Sequence, residues 1–139
     1  MTSSAERLQP GEEMNPQESL LELKDVKKYF PIRSGIFQKK IGDVKAVDGI
    51  SFSLKRGETL GIVGESGCGK STAGRTMIRL YKPTAGQIFY KGRDISSLSE
   101  EALRKSVRKN IQMVFQDPFA SLNPRKTLRS IIKEPFNTH

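Results

Sequence analysis

Gly64-Glu65-Ser66-Gly67-Cys68-Gly69-Lys70-Ser71 fits G-x-x-x-x-G-K-[ST] at every fixed position. This segment limits the fold more than any other, because its chemistry requires a strand leading into a loop that opens a helix. The flanks agree. Thr59 to Val63 (TLGIV) is short, apolar and nearly unbroken, which predicts a strand buried on both faces. Lys70 to Tyr81 carries Ala73, Met77, Ile78 and Leu80 near helical spacing. Ordinary residue frequencies give on the order of one chance match per 200 chains of this length, before the flanks are considered.

Each position has a physical task. The glycines permit backbone angles that a Cβ forbids, so successive N–H groups can turn inward around phosphate oxygens. The helix start adds unpaired donors and a positive dipole end. Lys70 supplies a point charge for the β- and γ-phosphates, and the Ser71 hydroxyl is a suitable ligand for Mg²⁺. Cys68 is the single cysteine and His139 the single histidine. Without partners, Cys68 reads as a backbone N–H donor rather than a nucleophile or metal ligand.

The rest of the chain reads as an α/β arrangement with an antiparallel portion on its N-terminal side. Residues 1–19 are polar, with Pro10, Gly11 and Pro16, and read as a flexible tail without the apolar core of a signal peptide. From Leu20 to Phe30 the pattern is that of a half-buried strand, and Pro31 to Gly42 reads as a loop. Val44 to Leu54 returns to strand texture, with Val44, Ala46, Ile50, Phe52 and Leu54 on one face. After the breaker Pro83-Thr84-Ala85-Gly86, Gln87 to Tyr90 is a short strand. Ser99 followed by Glu100 and Glu101 marks a helix start, with Leu103 and Val107 on one face. Ile111 to Phe115 (IQMVF) is expected to be a core strand, and Thr127 to Lys133 to begin a helix.

The chain has 139 residues, with 24 Lys and Arg against 15 Asp and Glu, a formal +9. One cysteine excludes a disulfide scaffold and fits a reducing compartment. No run approaches the length of a membrane-spanning helix. The charge and the basic helix near residues 100–110 raise a rival reading, a P-loop protein acting on nucleic acid. A solvated basic face is the plainer account of the same residues.

At the end of the IQMVF segment two readings compete. Met113 to Asp117 can be a degenerate acidic strand end, with Asp117 reaching Mg²⁺ through water, although Gln116 interrupts it. Alternatively Gln116 is itself the functional group, its amide accepting from Mg²⁺-bound water and orienting the attacking water.

Three runs, GESGCGKST at 64–72, PTAGQIFYKGRDI at 83–95 and VFQDPFASLNPR at 114–125, resemble the ATP-binding subunits of ABC transporters. VDGISFSLKRGETLGIVGESGCGKST and QDPFASLNPR together resemble the oligopeptide/dipeptide importer branch. The resemblance covers about residues 20–139. It implies a P-loop NTPase core over residues 20–116 with an N-terminal antiparallel β subdomain, then a Q-loop and the start of a helical subdomain over 117–139. Gly64, Glu65, Ser66, Gly67, Cys68, Gly69, Lys70, Ser71 and Thr72 would wrap the phosphates of ATP, with Thr72 towards the α-phosphate. Gln116 matches the Q-loop glutamine, which senses the γ-phosphate and, with Ser71, Mg²⁺. In Val26-Lys27-Lys28-Tyr29-Phe30 the family register places Phe30 against adenine, with Tyr29 second.

The resemblance also implies partners: a second ATP-binding subunit in a homo- or heterodimer, integral membrane permeases, and indirectly an extracytoplasmic peptide-binding protein, but no nucleic acid. The location implied is the cytoplasmic face of the membrane, and Pro118 to Arg125 would face a permease. An LSGGQ-like signature, an apolar strand ending in Asp-Glu and a switch histidine are not found in the sequence. The chain is therefore expected to be truncated within the helical subdomain, and to bind ATP without hydrolysing it alone. A non-functional fragment is the remaining alternative.

Overall fold

The computed structural model describes residues 19–36, 38–116 and 123–138. They divide into two compact units, residues up to Ser97 and residues from Leu98. Of the expected tail over residues 1–19, all but Ser19, which opens the first strand, lies outside the described residues, as do Phe37, Asp117 and most of the segment from Pro118 to Arg125.

The first unit is built on a four-stranded sheet of order β2-β1-β3-β4. Its long members are β1 (Ser19–Ser34) and β2 (Lys39–Lys55), followed by β3 (Ala85–Tyr90) and the short β4 (Arg93–Asp94). Every pairing is antiparallel. Helix α1 (Lys70–Met77) lies against β1 and β2. Leu23, Val26, Val47, Ala73, Met77, Ile88 and Ile95 form the buried apolar set of this unit. Buried Thr76 donates its hydroxyl to the Thr72 carbonyl at 2.7 Å, satisfying the side chain within the helix.

Several expectations are corrected. Pro31 to Gly42, expected to be a loop, mostly continues β1 and β2, and the turn is confined to the residues around the Gln38 N–H to Gly35 carbonyl bond. Local turn chemistry yields here to cross-strand pairing, which a Pro near a ribbon edge tolerates. On β2 the buried residue is Val47 rather than Ala46, and Val44 is 52% exposed. The register skips Gly49 and Ala46, since Val26 and Lys27 pair with Ile50 and Asp48, and Lys28 and Tyr29 with Val47 and Lys45. Each such bulge exchanges the two faces of the strand.

Thr59 to Val63 is not a paired strand, and Val63 is 96% exposed. Ile111 to Phe115 behaves in the same way, with Val114 93% exposed. An apolar run is a core strand only when neighbours pair with it, and among the described residues none does. Helix α1 also stops earlier than its apolar spacing indicates, because Arg79 turns into the left-handed region at φ 59°.

In the second unit, α2 spans Glu100–Ser106 and α3 spans Leu128–Thr138. Ser99 caps α2 as expected, its Oγ accepting from the Ala102 N–H at 3.2 Å. Glu101 and Lys105 pair one turn apart at 2.7 Å, and Arg108 reaches Glu100 at 3.1 Å. Leu103 and Val107 are buried. Among the described residues no helix is long and apolar enough to cross a membrane.

Candidate nucleotide-binding loop

The segment from Gly64 to Thr72 forms one continuous loop that enters α1 at Lys70. Gly69 is the N-cap residue, at φ 97°, with no side-chain cap, so the first-turn N–H groups are not covered by a protein side chain. A Cβ at Gly69 would stand 2.2 Å from the Ala46 carbonyl oxygen. That carbonyl belongs to a bulge residue of β2, so the helix start is seated directly on the sheet backbone.

Lys70 is turned back across the loop. Its Nζ donates to the Gly64 carbonyl at 2.6 Å and to the Glu65 carbonyl. The ammonium thus lies over the start of the loop, held by two backbone carbonyl oxygens. Cys68 Sγ lies 3.5 Å from Lys70 Nζ, and a Cβ at Gly64 would approach Cys68 Sγ to 2.7 Å. Residues 64–68 and Ser71 are exposed, while Gly69, Lys70 and Thr72 are half-buried. No acidic side chain lies in the first turn of α1. The loop therefore offers N–H donors, one cation and the Ser71 hydroxyl, with Glu65 at its start and no carboxylate in the first helical turn, which suits an anion accompanied by a hard cation. Among the described residues no group of His, Cys, Asp and Glu side chains could hold a metal by itself.

The two aromatic candidates are neighbours in β1 and point to different partners. Tyr29 donates its hydroxyl to Asp48 Oδ1, and Lys45 Nζ stands 5.5 Å from the Tyr29 ring centroid. The hydrogen bond holds Asp48 below the usual carboxylate range, with Lys45 adding to the effect, and the same bond raises the Tyr29 phenol. Lys27 is raised in turn by its hydrogen bond and ion pair with Asp25, at 3.1 Å. Phe30 meets Tyr81 edge to face at 5.6 Å between centroids, with Lys28 Nζ 4.9 Å from the Phe30 ring. Arg75 adds a hydrogen bond to the Tyr81 hydroxyl at 3.3 Å.

Asp48, Lys45 and Tyr81 were not accessible to sequence reasoning, because strand register and the end of α1 bring them to these rings. Gln116 lies in the second unit, exposed and directly after the unpaired 111–115 segment.

Comparison with known proteins gives this geometry a family. The ABC transporter family profile matches residues 47–135. The oligopeptide transport ATP-binding protein AppF of Bacillus subtilis is 89% identical over 123 residues, which are 88% of this chain and 37% of that protein. The dipeptide transport ATP-binding protein DppF of Escherichia coli is 47% identical over 125 residues, 90% of this chain and 37% of that protein. The chain thus spans just over a third of the length of these relatives. A dimeric ATP-binding cassette bound to ADP and Pi superimposes with a TM-score of 0.53 at 28% identity, over 61% of this chain and 34% of that one. A nucleotide-free ATP-binding cassette from an ABC transporter gives 0.51 at 27% identity, over 63% and 30%. With its phosphate-type loop seated on an antiparallel sheet and the family profile covering most of its length, the chain belongs to the ABC transporter family.

Proposed function

We propose that these residues form the nucleotide-gripping part of an ATP-binding subunit that powers peptide import across the cytoplasmic membrane. The observation that carries the reading is Lys70 folded onto the Gly64 and Glu65 carbonyls at the mouth of a helix-opening loop. The loop would receive the phosphates of ATP on its N–H groups, with Lys70 exchanging carbonyl partners for β- and γ-phosphate oxygens. Ser71 would ligate the accompanying Mg²⁺, and Gln116, by its match to the Q-loop glutamine, is the residue proposed to sense the γ-phosphate and Mg²⁺. Phe30 is the first choice for stacking on adenine and Tyr29 the second.

The cargo reading is supported by the names of the relatives, oligopeptide transport for AppF and dipeptide transport for DppF. The partners in this reading are a second ATP-binding subunit, a pair of permeases and, through them, a peptide-binding protein. The subunit would sit at the cytoplasmic face of the membrane. The LSGGQ-type signature, the Asp-Glu strand end and the switch histidine are not among the 139 residues, so ATP binding without turnover is the activity proposed for these residues alone.

Titration of the protein with a fluorescent ATP analogue and Mg²⁺, beside a Lys70→Ala variant, tests the site. A loss of at least roughly tenfold in affinity is expected for the variant, since it removes a charge-assisted contact. Equal binding by both proteins would overturn the assignment. Uptake of labelled peptides of graded length by cells carrying the intact transporter tests the cargo.

A further inference from the structure

Past the Phe30–Val44 pair, β1 and β2 continue as a ribbon of their own. β3 pairs with β1 only as far as Lys27 and Ala85, whereas the β1–β2 ladder goes on through Pro31↔Asp43, Ile32↔Gly42, Arg33↔Lys40 and Ser34↔Lys39. Four further pairs project roughly 13 Å beyond the Phe30–Val44 pair. A two-stranded ribbon has no core of its own and is marginally stable in water.

Its surface shows why it extends. Ile36 is 97% exposed, Ile41 66% and Ile32 43%. Interleaved with them are the exposed cations Arg33, Lys39 and Lys40. Arg33 and Lys40 stand directly opposite each other in the register, a like-charge pair that weakens a hairpin unless an anion lies across it. Lys40 meets Asp43 at 2.8 Å, and among the described residues neither Arg33 nor Lys39 has an ion-pair partner. Projecting aliphatic side chains set among cations are the composition of a membrane-interfacial element: the apolar groups enter the headgroup boundary while the charges meet lipid phosphates.

We infer that the ribbon over residues 31–36 and 38–43 docks on an anionic phospholipid surface, giving the subunit a direct hold on the bilayer beside any contact with a permease. The inference uses the family membership only for the nearness of a membrane and makes no use of the ATP site. A protein partner would be expected to match this ribbon with defined hydrogen bonds and pockets. Bare isoleucines between facing cations ask only for a greasy, negatively charged plane.

The test uses the full-length protein with vesicles of phosphatidylcholine alone or mixed with phosphatidylglycerol, read by co-sedimentation. Wild type should partition to the phosphatidylglycerol vesicles and leave them as salt rises. Lys39→Gln combined with Lys40→Gln should weaken partitioning by roughly ten- to thirtyfold, about fivefold for each cation near the surface. Ile36→Ser should weaken it severalfold while keeping the salt dependence. Fluorescent ATP binding should be unchanged in every variant, which separates failure of the ribbon from failure of the nucleotide site. Equal binding to neutral vesicles, or a double Gln variant that partitions like wild type, would overturn the proposal. So would a wild-type protein that ignores both vesicles yet is retained by permeases through Lys39 and Lys40, since that outcome assigns the ribbon to a protein partner.

Discussion

Arg79 donates its Nε–H to the carbonyl of Ile95 at 2.8 Å, and both residues are buried. A guanidinium at 2% exposure, on a residue in the left-handed region, ties the end of α1 to the segment that leaves β4. The strained backbone is tolerated because the side chain is hydrogen-bonded inside the protein. Replacing Arg79 by Ala should destabilise the chain by roughly 1.5–3 kcal/mol through loss of a buried charged hydrogen bond. Arg79→Gly loses the same bond but relieves the positive φ, and should recover about 1 kcal/mol relative to Ala. Urea midpoints of the three proteins check the order. A Gly variant less stable than the Ala variant would show that backbone strain is not part of the site.

Tyr29 and Asp48 predict a pH dependence with two edges. Asp48 is lowered from its ordinary 3.8 by the phenol hydrogen bond, so its contribution is present above that value and is lost as pH falls through the folded-state pKa. Tyr29 is raised from its ordinary 10.0 by the same bond, so its contribution is present below that value and is lost as pH rises through the folded-state pKa. The stability gap between wild type and Tyr29→Phe should therefore be widest near neutrality and close towards both extremes. Denaturant midpoints measured below the ordinary carboxylate pKa, at neutrality and above the ordinary phenol pKa check it. A gap independent of pH would mean that the hydroxyl acts by packing alone.

Cys68 offers a chemical probe of the loop. Its thiol is exposed, lies 3.5 Å from Lys70 Nζ and borders Gly64 closely enough that even a Cβ there would collide with it. Alkylation by N-ethylmaleimide should block ATP binding by bulk, ATP with Mg²⁺ should slow the reaction, and Cys68→Ala should bind ATP and resist the reagent. Mass spectrometry with nucleotide titration checks this. Unchanged affinity after complete modification would remove Cys68 from the phosphate-facing side.

What the sequence revealed, and what it did not, follows from the range of the forces involved. The Ser99 cap, the helix start at Lys70 and the strand over Gln87 to Tyr90 were legible because each depends on neighbours a few residues away. The antiparallel N-terminal portion was likewise legible from alternation. The runs at 59–63 and 111–115 misled because hydrophobicity marks a need for partners without supplying them. The ribbon over 31–42 misled in the opposite sense, since proline and glycine disguised a segment organised by cross-strand pairing. Burial of Val47 in place of Ala46 required the bulges, which leave no local mark. For the site, the glycines, Lys70 and Ser71 were legible as a motif, whereas the sockets around Tyr29 and Phe30 are assembled by register.

The approach of Gly69 to the Ala46 carbonyl has a consequence for anyone wishing to transplant this loop. A graft of residues 64–72 into another scaffold would carry the missing Cβ but leave behind the carbonyl oxygen that its absence accommodates. The portable unit is therefore the loop together with the irregular stretch of β2 beneath it. Mutations that smooth that irregularity, although they lie in β2 and outside the motif, should loosen the seating of the loop as surely as mutations within it.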